Sequence, residues 1–330
     1  MTSVLTSIVA LVLFGSVWSS TLSGTATQTA SPTPTPATSA SALVDACREA
    51  FDNNDLKKAL DDCNKAIALD PTSASAFALR GDVKDTMGDS HGALKDYDQA
   101  IKLNPNYEYG YATRCDTRRE LNDFDGAAAD CKHATELDPT DGYAFDRFGR
   151  LDLDMDHYDA AIGHYTTAIK NDPARASAFA GRCQAYVELN KYDLAIDDCQ
   201  KSLDIKPDND DGLFYLATAE HNVGRTTDAV HNWNTYIAKH PDDAVPYYNR
   251  GLALVDANEL PAALKDFSTY IERKPRDGDG FYKRAVVENK LGNKTGALAD
   301  LKTALRLYQV SGDDSGAKKV SALIGEIGGN

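Results

Sequence analysis

The residues with the most chemical potential in this sequence are six cysteines, at positions 47, 63, 115, 131, 183 and 199. They fall into three pairs, each pair sixteen residues apart, and the pairs recur every 68 residues. Thiols so arranged could ligate a metal, exchange electrons or close disulfides. A structural zinc ordinarily takes four ligands, and each pair offers two thiolates. No CxxC redox motif occurs. The histidines are scattered and none sits in HExxH, and there is no GxSxG or phosphate-binding loop. The stretch DLDMDHYD at 152–159 has the acidic rhythm of a calcium loop. It lacks the central glycine, though, and carries Gly163 where the twelfth-position glutamate belongs, so it reads as a solvated turn. Asn293-Lys-Thr295 is a glycosylation sequon that matters only in a eukaryotic host. The expectation is a chain that is not an enzyme and that holds no metal or cofactor.

The chain has 330 residues, 42% of them hydrophobic and 26% charged, with a formal net charge of -15. The first charged side chain is Asp45, so the acidity belongs to the part after the N-terminal segment. Such a surface repels nucleic-acid phosphates and anionic membranes and suits neutral or basic partners. Residues 4–18, VLTSIVALVLFGSVW, are apolar and uncharged, yet shorter than the ~20 residues a membrane span needs. They fit the core of a signal peptide over residues 1–20, with cleavage after Ser19, Ser20 or Ala26, although no Lys or Arg precedes them. Export to the periplasm or the extracellular space is expected, without membrane insertion once the signal is removed. An uncleaved membrane anchor is the alternative. No cysteine follows the apolar run, so no lipoprotein site is read. Residues 21–39, rich in Ser, Thr and Pro, read as a disordered spacer.

The elements that position the cysteines follow from a longer period. Prolines stand at 71, 105, 139, 173, 207, 241 and 275, each 34 residues after the last, and an alanine precedes each by twelve, from Ala59 to Ala263. The alanine series continues to Ala297. Each unit holds two apolar-periodic segments parted by a turn such as LGN at 291–293. A single helical hairpin cannot bury both of its faces, so stacked hairpins share a continuous core and wind into a right-handed superhelix with a concave groove. Proline after the second helix stops it and starts the next unit.

KALDDCNKAIALDP, GALKDYDQAIKLNP and AAIGHYTTAIKNDP carry this pattern, and the chain resembles the tetratricopeptide repeat family through them. The resemblance covers eight repeats over residues 40–311 and implies an all-α, right-handed superhelical solenoid. Residues 312–330, with Ala317, Val320, Ile324 and Ile327 at helical spacing, are expected to form a capping helix and tail. The family's small residue at repeat position 8 is Cys47, Gly81, Cys115, Gly149, Cys183, Ala217, Gly251 and Ala285. One departure is position 4, where the family often has Trp and this chain has residues such as Leu43, Phe77 and Tyr111.

In that frame the cysteines occupy positions 8 and 24 of repeats 1, 3 and 5. Other repeats pair a small residue with a large one there: Gly81 with Tyr97, Gly149 with Tyr165, Ala217 with Trp233, Gly251 with Phe267. Facing cysteines are therefore expected to form the disulfides Cys47–Cys63, Cys115–Cys131 and Cys183–Cys199. A second pairing joins positions 7 and 23: Arg80 with Asp96, Arg114 with Asp130, Arg182 with Asp198, Arg250 with Asp266, and Arg284 with Asp300. Where position 7 is Phe148 or Leu216, position 23 is His164 or Asn232. These arginines are expected to form structural ion pairs within hairpins.

The resemblance implies that the groove is lined by the first helix of each repeat, and that the chain binds a protein or extended peptide. In repeats 1–4 the groove positions are polar: Asp45, Asp82, Asp85, Asp116, Glu120, Asp146 and Asp154, offset by Arg48, Arg119, Arg147 and Arg150. In repeats 6–8 they include Phe214, Tyr215, Tyr248, Asn249, Leu252, Tyr282 and Lys283. Aromatic rings offer contact area at low entropic cost, and Asn can bond a peptide backbone, so this second set is the expected peptide site. The family's carboxylate clamp is not reproduced, because its first Lys and Asn would fall at Phe214 and Thr218. A spacer or envelope-assembly component acting through its convex surface is the alternative function.

Overall fold

The computed structural model describes residues 39–328, and among these there are seventeen helices and no strand. Sixteen form hairpins in chain order: α1 (Ala40–Asp52) with α2 (Leu56–Leu69), α3 (Ala74–Thr86) with α4 (Ser90–Leu103), α5 (Glu108–Glu120) with α6 (Phe124–Leu137), and α7 (Gly142–Asp154) with α8 (Tyr158–Asn171). They continue as α9 (Ala176–Glu188) with α10 (Tyr192–Ile205), α11 (Asp210–Asn222) with α12 (Thr226–Lys239), α13 (Val245–Asp256) with α14 (Leu260–Arg273), and α15 (Gly278–Lys290) with α16 (Lys294–Ser311). The last helix, α17 (Asp314–Gly328), packs on α16. Each second helix packs on the first helix of the next hairpin, and the first helices from α1 to α13 touch in series. The result is an all-helical solenoid whose core runs along its length.

The turn inside every hairpin depends on one backbone conformation. Position 15 of all eight repeats has positive φ: Asn54, Gly88, Asn122, Asp156, Asn190, Gly224, Asn258 and Gly292. An ordinary L residue there costs roughly 1–2 kcal/mol, which Gly avoids and Asn or Asp reduces through local hydrogen bonding. The next residue starts the second helix. Where it is Asp55, Asp89, Asp123 or Asn293, its side chain accepts a hydrogen bond from the backbone N–H three residues on.

Packing across each hairpin is set by size. The alanines from Ala59 to Ala297 at position 20 are all fully buried. Gly81, Gly149 and Gly251 lie against the rings of Tyr97, Tyr165 and Phe267, where an added Cβ would come within 3 Å. Trp233 is fully buried in a cluster with Ala217. In repeats 1, 3 and 5 the same space holds the disulfides Cys47–Cys63, Cys115–Cys131 and Cys183–Cys199, each with 5.4 Å between Cα atoms. That separation suits the bond without backbone movement.

Val320 and Ile327 of α17 are buried with Leu301, Ala304 and Tyr308 of α16, so the last hairpin does not end on bare apolar surface. The expected signal peptide, and the spacer as far as residue 38, lie outside the described residues, as do residues 329 and 330. Ser39, expected to end the spacer, belongs instead to the helical array: its hydroxyl caps α1 by accepting from the Ala42 N–H at 3.1 Å. Among the described residues no helix is long and apolar enough to cross a membrane.

Candidate functional site

The charged side chains divide into those that hold hairpins together and those that line clefts. Arg80, Arg114, Arg182, Arg250 and Arg284 each grip the carboxylate sixteen residues on with Nε and Nη2 at 2.6–2.8 Å. Such two-point pairs fix geometry as well as charge. The carboxylates of Asp96, Asp130, Asp198, Asp266 and Asp300 are nearly or fully buried.

Each arginine also reaches into the preceding repeat. Nη1 of these five donates to Asn64, Asp98, Thr166, Asn234 and Ser268 respectively. Reading the sequence for hairpin pairs alone misses this link. The signal is nonetheless present, because Lys132 and Gln200 occupy the equivalent position only before Phe148 and Leu216, where no arginine follows. In those two repeats the acid moves: Asp152 meets His164 at 2.6 Å, and Glu220 accepts from Asn232 at 2.7 Å. Phe148 stacks on His164 with ring centroids 4.0 Å apart. All of these groups serve the solenoid.

The aromatic set of repeats 6–8 divides. Phe214 packs edge-on against Trp233, Tyr236 and Tyr215, and Leu252 joins the cluster around Phe267. Tyr248, Tyr282 and Lys283 converge on one cleft of about 380 Å3, closed by Asp279, Tyr308 and Lys319. Lys319, on α17, lies 4.8 Å from the Tyr282 ring centroid, and Tyr308 donates to Asp279. The final helix therefore contributes a wall. Tyr215 and Asn249 are half-buried and do not line this cleft.

A second cleft, of about 320 Å3, opens between α3, α5 and α7 and contains the more unusual electrostatics. Its lining includes Asp82, Asp85, Tyr109, Asp116, Tyr143 and Arg147. Asp82 is buried, and its oxygens accept from the Tyr97 and Tyr109 hydroxyls at 2.9 and 2.8 Å. Burial raises its carboxyl pKa to about 7 against the opposing pull of these hydroxyls and of Arg48, with Asp85 adding repulsion. Asp85, one turn on, accepts from Thr117 through Oδ2 at 2.9 Å. Its Oδ1 is buried with no hydrogen-bond partner among the described residues.

Asp116 is held differently. Arg119 and Arg147 contact its two oxygens at 2.9 and 3.0 Å. Burial works to raise its carboxyl, but Arg147, Arg119 and Arg150 together hold it below the usual range. Arg119 also reaches Asp154 at 2.6 Å. Arg147 lies 4.5 Å from the Tyr143 ring centroid, and Tyr143 stacks on Tyr109 at 5.5 Å.

Of the polar residues read at groove positions, Asp82 and Arg147 do line this cleft, but they and Asp146 are largely shut off from water. Asp82 and Asp146 are buried, and only 18% of the Arg147 side chain is exposed. The reason is packing between successive first helices, α5 against α3, which carries Asp82, and α5 and α9 against α7, which carries Asp146 and Arg147; a single hairpin would leave these side chains open. Both Asp146 oxygens, Arg147 Nε and Arg175 Nε are buried without hydrogen-bond partners among the described residues, like Asp85 Oδ1. Orphaned polar atoms of this kind are uncommon in native proteins.

Residues 147–210 and 248–311 match one tetratricopeptide repeat family model, and residues 74–107 match another. No curated protein sequence matches the chain. Among solved structures, it is similar to YrrB, described as a TPR protein with an unusual peptide-binding site. The two share 23% identity over 58% of this chain and 97% of that one, with a TM-score of 0.50. The APC/C hetero-tetramer Cut9–Hcn1 aligns over 87% of this chain at 16% identity, with a TM-score of 0.64, and this chain spans 55% of it. The pilF protein of Pseudomonas aeruginosa aligns over 65% of this chain and 96% of its own at 12% identity, with a TM-score of 0.56. At these identities the likeness is one of fold.

Proposed function

We propose that this chain, a tetratricopeptide repeat protein, is a non-catalytic scaffold in an exported compartment that binds an extended protein segment along the face made by its first helices. The carrying observation is that first helices contribute to two open clefts, one near each end of the array: α3, α5 and α7 supply most of the lining of one, and α13 and α15 share the other with α17. Between them run helices in direct contact, so a single extended segment can reach both. YrrB, whose structure is described by a peptide-binding site, shares the fold and supports the reading by analogy. The apolar run at residues 4–18 and the three intra-repeat disulfides support export, since disulfides persist in oxidising compartments. The net charge of -15 favours a neutral to basic partner over nucleic acid.

The test is selection of random decapeptides on the immobilised protein. Affinities of the selected peptides are then measured against Tyr248→Ala and Tyr282→Ala variants that still fold. Selected peptides that lose about tenfold or more in affinity, as expected for aromatic anchors, support the face. Peptides indifferent to both of these variants and to changes in the α3–α5–α7 cleft would move binding to the convex surface.

A further inference from the structure

We propose that the cleft between α3, α5 and α7 receives one basic side chain, lysine or arginine, from the bound segment. The inference rests on the scaffold reading and assigns a chemistry to one of its two clefts.

Two acidic side chains of this cleft have no cation beside them among the described residues. Asp82 and Asp85 lie one turn apart on α3 and both line the cleft. Their hydrogen bonds come from neutral hydroxyls, those of Tyr97, Tyr109 and Thr117. Among the described residues, no Lys, Arg or His nitrogen lies within salt-bridge distance of either carboxylate. The contrast with the rest of the array is sharp: Asp96, Asp130, Asp198, Asp266 and Asp300 each have a cation at 2.6 Å. Arg147, the cation that lines the cleft, is committed to Asp116 and to the Tyr143 ring.

The second observation is independent of charge. Asp85 Oδ1 is buried at the cleft wall with no donor, while Asp85 Oδ2 is satisfied. A buried acceptor without a donor is uncommon in native proteins, and a ligand donor that reached it would satisfy it.

The third is shape. About 320 Å3 lies at the lower end of small-ligand pockets, so the space suits one long side chain rather than a folded domain edge. Phe51, Tyr97, Tyr109 and Tyr143 supply ring surface for the methylene stem. The two α3 carboxylates supply acceptors for the charged head, and an aromatic wall also attracts a cation.

The experiment extends the peptide selection. Peptides enriched on the full-length protein are resynthesised with each lysine replaced by norleucine and each arginine by citrulline. Affinities are measured on the wild type, on Asp85→Asn and Asp82→Asn, and on Asp159→Asn. Asp159 is highly exposed on α8, so its variant removes the same charge far from the cleft. The proposal expects one basic residue whose replacement weakens binding about tenfold or more, as for a lost hydrogen bond between charged groups. It also expects Asp85→Asn to weaken the parent peptide to a similar degree, Asp159→Asn to leave it unchanged, and the replaced peptide to be indifferent to Asp85→Asn. Peptides that bind without a basic residue, or that lose as much with Asp159→Asn as with Asp85→Asn, would overturn the proposal and leave the scaffold reading standing. Failure to enrich any peptide would overturn the scaffold reading itself. The peptide-side replacement decides the matter even where a protein variant is poorly folded.

Discussion

Asp198 has one cation in salt-bridge contact, Arg182, whereas Asp96 and Asp130 have two each. Lys84 reaches Asp96 at 2.7 Å beside Arg80, and Arg118 reaches Asp130 at 2.8 Å beside Arg114. Removing an arginine therefore has unequal consequences. Arg182→Ala and Arg250→Ala are expected to destabilise by about 3 kcal/mol, because each strands a buried carboxylate. Arg80→Ala and Arg114→Ala are expected to cost less, and so is Arg147→Ala, because Asp116 keeps Arg119. Melting temperatures of the five variants check the order, and equal losses would contradict it. Asp82 gives a second residue-scale prediction. Its folded pKa of about 7 lies above the carboxylate's ordinary 3.8, so the native state binds a proton more tightly than the unfolded chain. Its contribution is fully present below pH ~4 and is lost as pH rises toward ~7, at up to about 1.4 kcal/mol per pH unit. The groups that face it are Arg48, Asp85, Tyr97, Tyr107, Tyr109, Asp116, Tyr143 and Arg147. The difference in stability between Asp82→Asn and wild type should move in the variant's favour from pH 4 to pH 7, and a difference independent of pH would refute the assignment. Residue identity alone could not reveal this. A period of 34 shows that positions 5, 6 and 9 share a face, but whether that face is wet depends on which side chains the next hairpin lays over it.

Helices and turns were the most legible level of this molecule. Alanine at position 20, proline at position 32 and a small residue at position 8 recur because each sits where two backbones approach or a helix must stop, and that constraint is the same in every hairpin. The left-handed residue at position 15 belongs with them. Asn190→Val is expected to lower stability by about 1 kcal/mol or more and Asn190→Gly to leave it nearly unchanged, since only glycine is free of the steric cost at positive φ. Thermal denaturation of the two variants compares them directly. What the repeat obscured was the connection between hairpins. The bond from each position-7 arginine to the preceding repeat needs two units to be read together. The disulfides act within units, so their effect should be local. Each closes a loop of about fifteen residues and is worth about 3 kcal/mol. Reduction should accelerate amide exchange in α1–α2, α5–α6 and α9–α10 far more than in α13–α16, and uniform acceleration along the chain would contradict that.

At the scale of the whole molecule, the account joins two clefts by one continuous helical face. The C-terminal cleft is partly legible, since Tyr248, Tyr282 and Lys283 fall at groove positions in neighbouring repeats. Its closure by Lys319 is not, because α17 stands outside the repeat and carries no positional rule. The polar cleft is hidden for a related reason: Asp82 and Asp85 look like ordinary acidic surface until Tyr109 and Tyr143 from the next two repeats are placed over them. The central claim is that a partner segment lies along this face. Hydrogen exchange of the protein with and without a selected decapeptide tests it most directly. The account predicts slowed exchange in α3, α5 and α7, or in α13, α15 and the capping helix α17, with the second helices from α2 to α14 unchanged. Protection confined to second helices such as α8, α10 and α12, with the first helices unchanged, would contradict it and favour a component that works through its convex surface.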